Sequence, residues 1–420
     1  MRSGQGVGRF RLQTGDAELL DFIRDKIRRD GPVTFAWFME QALYHPTRGY
    51  YSSGRAAIGR GGDYFTNVSV GPLFGQLLAG QFREMWETLG RPRPFTIVEQ
   101  GAHDGRFAAD ALSEIESRMP EFFDAVRYIM IEPSADLRAR QRATLEQRRQ
   151  PRPMTAQRPC LETPSEQVGW SESLDTLEPF CGIHFSNELI DSFPVHLVCL
   201  EDVERSETSL DSARQVSRPE WREKYVALAG EDFVFVEGEL SDDRLHARLR
   251  SIDSSPRYET EICLVAGDWI ADVAEKLTRG YVLAVDYGYA RAEYYAPERS
   301  AGTLRCYRSH RPVASPLMHV GEADITAHVE WTSIADRALC SGSQIVGFTD
   351  QHHFLTGLIS DLSADQLGDA KSRRALQTLL QPEMLGRTFQ LLALGRQIPP
   401  DTKLRGFKFG RDPKQQLGLR

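Results

Sequence analysis

Apolar residues recur along this chain in two alternating periods, and the alternation predicts the elements. A 3.6-residue spacing runs through Leu19, Leu20, Phe22, Ile23 and Ile27, which predicts an amphipathic helix over 17–27 closed by the Asp30-Gly31-Pro32 turn. A second helix is expected from Thr34 to about Leu43, and a third over 70–89 with Leu73, Phe74, Leu77, Leu78, Phe82, Met85 and Trp86 on one broad face. Phe95, Ile97 and Val98 then form a short apolar run; glycines follow at 101 and 105, and Phe107, Ala111, Leu112 and Ile115 resume helical spacing. Strand, glycine turn and helix, in that order, let an open parallel sheet bring backbone close to a ligand at a strand's carboxyl end.

Further strands are expected at 126–131, 180–185, 281–286, 343–348 and 388–394, with helices over 264–277, from the His352-His353 pair onward, and over 371–380. Runs at 195–200, 224–228 and 233–238 lie too close together for helical crossovers, so they predict an antiparallel insertion. The stretch from 148 to 178 is polar and turn-rich. Together these readings give an α/β chain built on a Rossmann-like, seven-stranded doubly wound sheet. A helical extension and lid would occupy 1–61, the main domain 62–395 with insertions near 195–260 and 290–330, and a basic tail 396–420.

Composition narrows the function classes. With 420 residues, 41% of them hydrophobic, the chain can bury a large core, and a net charge of -8 argues against a dedicated nucleic-acid binder. Arg138, Arg140, Arg142, Arg148 and Arg149 fall in one predicted helix and read as a solvated face, with a docking surface as the other reading. Cysteines at 160, 181, 199, 263, 306 and 340 contain no C-x-x-C pair, which fits free thiols in a reducing compartment. His310, His319, Asp324 and His328 have spacings that match no metal site. No apolar run approaches the ~18 residues of a membrane span. Arg2, Arg9 and Arg11 faintly echo a transit peptide without its long pattern, so a cytoplasmic location is expected.

Chemistry concentrates in a few stretches. The dinucleotide fingerprint G-x-G-x-x-G fails at His103 and Arg106, leaving E-x-G-x-x-x-G from Glu99 to Gly105, which resembles the first motif of S-adenosylmethionine-dependent methyltransferases. Taken alone, that turn leaves a methyltransferase, another nucleotide binder and a structural turn all open. Glu132 ends the second strand, where a carboxylate can accept from two adjacent ribose hydroxyls or else start the following helix. In SNELIDSFPVH, 186–196, Asn187, Glu188 and Asp191 emerge where the fourth strand should end beside the first, as pocket wall or as helix caps. The aromatic and glycine-rich segment from Tyr44 to Asn67 reads as a lid over a pocket or as a pinned surface loop.

Taken together, these blocks resemble the MidA-like family of S-adenosylmethionine-dependent methyltransferases, whose mitochondrial members are assembly factors for respiratory complex I. The likeness runs from about Leu19 to Gly395. It rests on GDYFT at 62–66, LFGQLLA at 73–79, SNELIDSFPV at 186–195, DYG at 286–288, GTLRCYRSH at 302–310 and GEADITAHVEW at 321–331. The resemblance implies the class I methyltransferase sheet with a helical N-terminal extension and inserted strands. It also implies S-adenosyl-L-methionine as cofactor, contacted by Asp63, Thr66, Glu99, Gly101, Gly105, Glu132 and Asn187, with Glu188 and Asp191 as the catalytic pair. The implied acceptor is an arginine of a protein, by analogy a complex I subunit, and neither nucleic acid nor membrane insertion is expected. A guanidinium stays protonated far above neutral pH, so a carboxylate must fix its charge and leave the opposite nitrogen free to attack; Glu188 is the first candidate. His103 and Ser69 depart from the family pattern, where glycine and glutamate are usual. The alternative is therefore a cofactor fold that lost activity and serves as an assembly scaffold.

Overall fold

The computed structural model describes residues 14–54, 67–148, 167–209, 212–250, 252, 257–309, 311–360 and 369–419. It begins with α1 (Ala17–Asp30), whose capping Asp16 accepts the Leu19 amide and whose Leu19, Leu20, Ile23 and Ile27 point inward. The two-residue strand β1 (Val33–Thr34) leads into α2 (Phe35–Tyr44), started by the Thr34 hydroxyl accepting from the Trp37 amide. Then come α3 (Leu73–Thr88), β2 (Phe95–Gln100), α4 (Arg106–Arg118), the single turn α5 (Pro120–Phe123), β3 (Val126–Ile131), α6 (Ala135–Arg148), β4 (Val168–Ser171) and β5 (Phe180–Asn187). An insertion follows, made of β6 (His196–Ser209), β7 (Ser212–Ala229), β8 (Asp232–Gly238), α7 (Asp243–Leu249) and β9 (Tyr258–Ile262). The main unit resumes with α8 (Val265–Lys276) and β10 (Leu277–Tyr289), then α9 (Arg291–Tyr294) and the short strands β11 (Arg305–Arg308), β12 (Arg311–Pro312), β13 (Asp324–Thr326) and β14 (Val329–Glu330). It ends with α10 (Trp331–Cys340), β15 (Gln344–Asp350), α11 (Gln351–Ile359), α12 (Ala370–Leu380), β16 (Phe389–Arg396) and α13 (Pro413–Gln416).

The central sheet follows the order β15-β16-β10-β5-β2-β3-β4, with β14 paired onto the end of β10. Its pairings are parallel except those of β16, which runs antiparallel to both β10 and β15. Alternate residues of each strand feed the two faces. Ile97, Met130, Phe185 and Leu283 pack under α3, α4 and α11, while Val98, Ile129, Val282 and Ala284 pack under α8 and α10 through Trp269, Ile270 and Trp331. The fold is thus α/β, a mixed sheet between two layers of helices.

A second, antiparallel sheet, β1-β7-β6-β9 with β8 on β7, forms the insertion, and α1 and α2 lie against it through Leu19, Ile23, Phe35, Phe38, Val226 and Phe233. The three predicted runs there are strands, longer than their apolar cores. Besides the short strands β11 to β14, the pattern did not reveal β1, β9 and β4. All four residues of β4 are half-buried, so no apolar alternation marks it within the stretch read as turn-rich. Beyond Gly395 the chain folds back: Leu404 and Leu417 are buried, and the Arg405 and Gly406 amides donate to Glu84 and Gln81 of α3. Among the described residues no helix is long and apolar enough to cross a membrane.

Candidate functional site

In the central sheet β2 has β3 on one side and β5 on the other, so the chain's winding reverses between β2 and β5. Such a reversal splays the following loops apart and opens a crevice at the carboxyl ends of the two strands. Gly101 and Gly105, after β2, both take left-handed backbone, with φ of 85° and 79°. A Cβ at Gly101 would lie 3.3 Å from Leu189 Cδ1, and one at Gly105 would lie 3.2 Å from Gln141 Cα. His103 between them also takes positive φ, 45°, so the loop keeps a glycine-like path without the glycine.

A cleft of roughly 540 Å³, open mouth included, lies over this loop and is lined by Glu99, Gly101, His103, Asp104, Asn187 and Glu188, among others. Both positions that depart from the family pattern, Ser69 and His103, are in its wall. Glu99 is buried and accepts from the Tyr128 hydroxyl at 2.7 Å; burial pushes its carboxyl up to about 7. Glu188 follows β5 with φ of 54°, and its amide donates to Val285 O, continuing the β5–β10 ladder by one residue. Its Oε1 accepts from Asn187 Nδ2 at 2.9 Å and from the Asn67 amide at 3.4 Å, while Asn67 Nδ2 donates to Asn187 Oδ1 at 3.2 Å. Burial, with the nearby Asp286 charge, pushes Glu188 up to about 8.

Behind Glu188 the chain makes a tight turn, Ile190–Ser192. One oxygen of Asp286 accepts from three consecutive amides of this segment: Leu189 at 3.1 Å, Ile190 at 2.8 Å and Asp191 at 3.2 Å. Its other oxygen accepts from the Tyr287 amide at 2.9 Å. Asp191 is buried, with one carboxylate oxygen lacking any partner, and burial plus the charges of Asp286, Asp324 and Glu188 raise its pKa well above the ordinary range. Tyr44 meets Ser192, and the Tyr51 hydroxyl donates to Asp324 at 2.6 Å, so the N-terminal segment is fastened onto this turn. Among the described residues no lysine or arginine is paired with Glu188, Asp191 or Asp286. Half-buried Glu188 and fully enclosed Asp191 and Asp286 thus share one region with no basic partner, which favours their protonated forms.

The structure gathers Glu99, Gly101, Asn187 and Glu188 around one cleft, with Gly105 at the start of α4 and Asp191 just behind. Glu132 is not in the cleft wall: Oε1 accepts from the Ser134 amide at 2.9 Å and Oε2 from Gln141 Nε2 at 3.2 Å. Gln141 also donates to His103 O at 2.9 Å, so Glu132 reaches the loop at second hand. Asp63 and Thr66 lie outside the described residues, as does 55–66 of the expected lid. In the described part of that segment Tyr50 is buried in the N-terminal core, and Tyr44 and Tyr51 stack on each other. Asn67 and Asp286 were not singled out in the sequence as site residues. DYG at the end of a buried strand was the available signal for Asp286, but its partners sit almost a hundred residues earlier. On the inserted sheet, strand pairing also brings possible metal-ligand atoms of Cys199, Glu201 and Glu237 within 4.8 Å of one another, a grouping invisible in sequence spacing.

A family model described as S-adenosyl-L-methionine-dependent methyltransferase (Methyltransf_28) matches residues 77–349. The mitochondrial protein arginine methyltransferase NDUFAF7 of Homo sapiens is 25% identical over 415 residues, covering 94% of this chain and 87% of the relative. Its homolog in Drosophila melanogaster is 25% identical over 398 residues, 91% of this chain and 86% of the relative. A COG1565 superfamily protein of Burkholderia thailandensis, crystallised with S-adenosyl-homocysteine, superposes with a TM-score of 0.79 at 29% identity over 94% of this chain and 96% of its own. Matched by the family model over well more than half its length, and with the glycine loop and cleft at the sheet's reversal point, the chain belongs to the S-adenosyl-L-methionine-dependent methyltransferases.

Proposed function

We propose that this methyltransferase acts on an arginine of a protein. The observation that carries the reading is Glu188 in the cleft wall with Asp191 and Asp286 buried behind it, none of the three paired with a basic side chain among the described residues. The relatives' names support it, since NDUFAF7 is a protein arginine methyltransferase. The seven strands on the main path are read as the class I methyltransferase order, and the family resemblance supports a complex I subunit as the acceptor protein.

The cleft fits S-adenosyl-L-methionine on two counts. Its wall includes left-handed backbone bare of a side chain at Gly101, with left-handed Gly105 opening α4 beside it. Its acids, Glu99 and Glu188, have ionisation suppressed by burial, which a cationic ligand relieves. Glu99, Gly101, Gly105 and Asn187 would hold the cofactor, whose sulfonium supplies an activated methyl group when bound.

The remaining work belongs to side chains of this chain. Asn187 and the Asn67 amide orient Glu188 by bonding one of its oxygens, leaving the other to accept N–H groups of a guanidinium. A guanidinium in contact with these acids draws them into the ionised form, and the paired charge fixes which nitrogen faces the methyl donor. Transfer leaves a cationic product and one proton in excess, and Asp191, with one unpartnered carboxylate oxygen behind Glu188, is our candidate to accept it. The test restores parent or Glu188→Gln genes to a deletion strain and maps arginine methylation by mass spectrometry. The substitution keeps shape and removes charge, so methylation is expected to fall about 100-fold or more. Arginine methylation identical in deletion, variant and parent strains would sink the arginine reading and favour the scaffold.

A further inference from the structure

We propose that Asp286, at the end of β10, is a positioning residue for Glu188 and Asp191, holding through its carboxylate the turn on which both are mounted. The proposal rests on the reading of Glu188 and Asp191 as the acceptor-facing pair, and it concerns a residue that cannot meet the acceptor itself. Asp286 is fully buried and is absent from the cleft wall.

The geometry is specific. β5 and β10 run in parallel register to Asn187 and Val285, and the Glu188 amide extends that register by one bond to Val285 O. There the ladder stops, because the chain turns away. In place of the next backbone carbonyl stands the Asp286 side chain, whose single oxygen Oδ2 takes the three amides of residues 189–191. Three converging N–H dipoles suit an anionic oxygen far better than a neutral one. Oδ1 is engaged by the Tyr287 amide, so both oxygens are acceptors and neither position tolerates a donor. Asparagine has the same outline but carries an amino group, and in either orientation that group would face an N–H.

The carboxylate also acts through its charge. The groups facing it are Glu188 and Asp191 from the β5 end and the turn, Asp324 from β13, and Tyr287 on its own strand; Tyr44, Tyr51, Tyr307 and His328 stand around that cluster. The Asp286 charge adds to burial in raising both Glu188 and Asp191. A neutral residue at 286 therefore does two separable things: it loosens the turn, and it lets Glu188 ionise at lower pH.

The experiment compares Asp286→Asn with the parent, using protein carrying ¹³C-labelled glutamate carboxyls, with the Glu188 signal assigned by its loss in Glu188→Gln. In folded Asp286→Asn, shown by a cooperative melt, the Glu188 titration midpoint is expected to fall by about one pH unit. A substitution that merely perturbed packing would leave an equally buried Glu188 where it was. A midpoint unchanged or raised overturns the proposal. If Asp286→Asn does not fold, amide exchange of the parent decides. Protection factors of Leu189, Ile190 and Asp191 should fall as Asp286 is protonated, while those of β5 hold; protection that is flat with pH overturns it. Calorimetry of the parent with S-adenosylhomocysteine is run alongside. Absence of binding would strike at the methyltransferase reading without touching the titration result.

Discussion

At Gly182 the sheet leaves no room for a side chain: a Cβ there would lie 1.8 Å from Thr96 O, and its neighbour in register, Gly280, would put one 1.9 Å from Gly182 O. Gly182→Ala must push β2 and β5 apart beneath the cleft, so a loss of about 4 kcal/mol or more, read by denaturant melts, is expected. Gly101→Ala is milder, because Leu189 is flexible at its tip. It should cost about 1–2 kcal/mol for the left-handed backbone and, through Leu189, weaken S-adenosylhomocysteine in calorimetry. Glu132→Ala is a test of the ribose assignment against the second-hand link through Gln141. Both predict weaker binding, but only the link predicts an equal loss in Gln141→Ala, since Gln141 carries it to His103 O. Glu99, Gly101 and Glu188 were legible because each sits within a few residues of a strand end that hydrophobic pattern reveals. Asp286 was not, since its role is set by β10 pairing beside β5, and no local spacing encodes that register.

The elements were legible where the buried residues are apolar, on one face or throughout; buried Thr260 and Glu261 hid β9. The buried central strands and the amphipathic α1, α3 and α8 announce themselves through period. Half-buried β4 and the two-residue β1 do not, and the small sheet of β11, β12 and β13 depends on partners rather than pattern. The joint between elements that matters most for the site is the N-terminal segment after α2, fastened by Tyr51 to β13. Tyr51→Phe removes the donor to Asp324 and keeps the ring stacked on Tyr44, so stability should fall by about 1–2 kcal/mol in denaturant unfolding. An unchanged unfolding midpoint would mean the Tyr51 hydrogen bond adds nothing to how the segment is held.

The molecule as a whole should show the acid cluster in its pH dependence. Glu188, raised to about 8, and Glu99, raised to about 7, bind protons in the folded state that the unfolded chain releases near 4.5, so stability falls as pH rises through that window. His184 and His328, lowered by burial to about 3 and about 4, act in the opposite sense, but only below their ordinary 6.5. Between pH 6.5 and 8 the acids act unopposed by these histidines, and the ligand-free protein should lose about 1–2 kcal/mol, read as a lower melting temperature. A melting temperature flat across that range would contradict the burial of Glu188. The fold-back of the C-terminal segment has a different kind of consequence, one that concerns synthesis. Gln81 and Glu84 of α3 receive the amides of Gly406 and Arg405 across more than three hundred residues of chain. Helix α3 roofs the same sheet face that the cleft loop crosses, yet buried Gln81 and half-buried Glu84 gain these backbone partners only once residues 405 and 406 have been synthesised. A chain cut before residue 405 thus carries the glycine loop and the acid cluster complete in sequence but leaves Gln81 and Glu84 without these partners, so it should melt lower and bind S-adenosylhomocysteine more weakly than the longer chain.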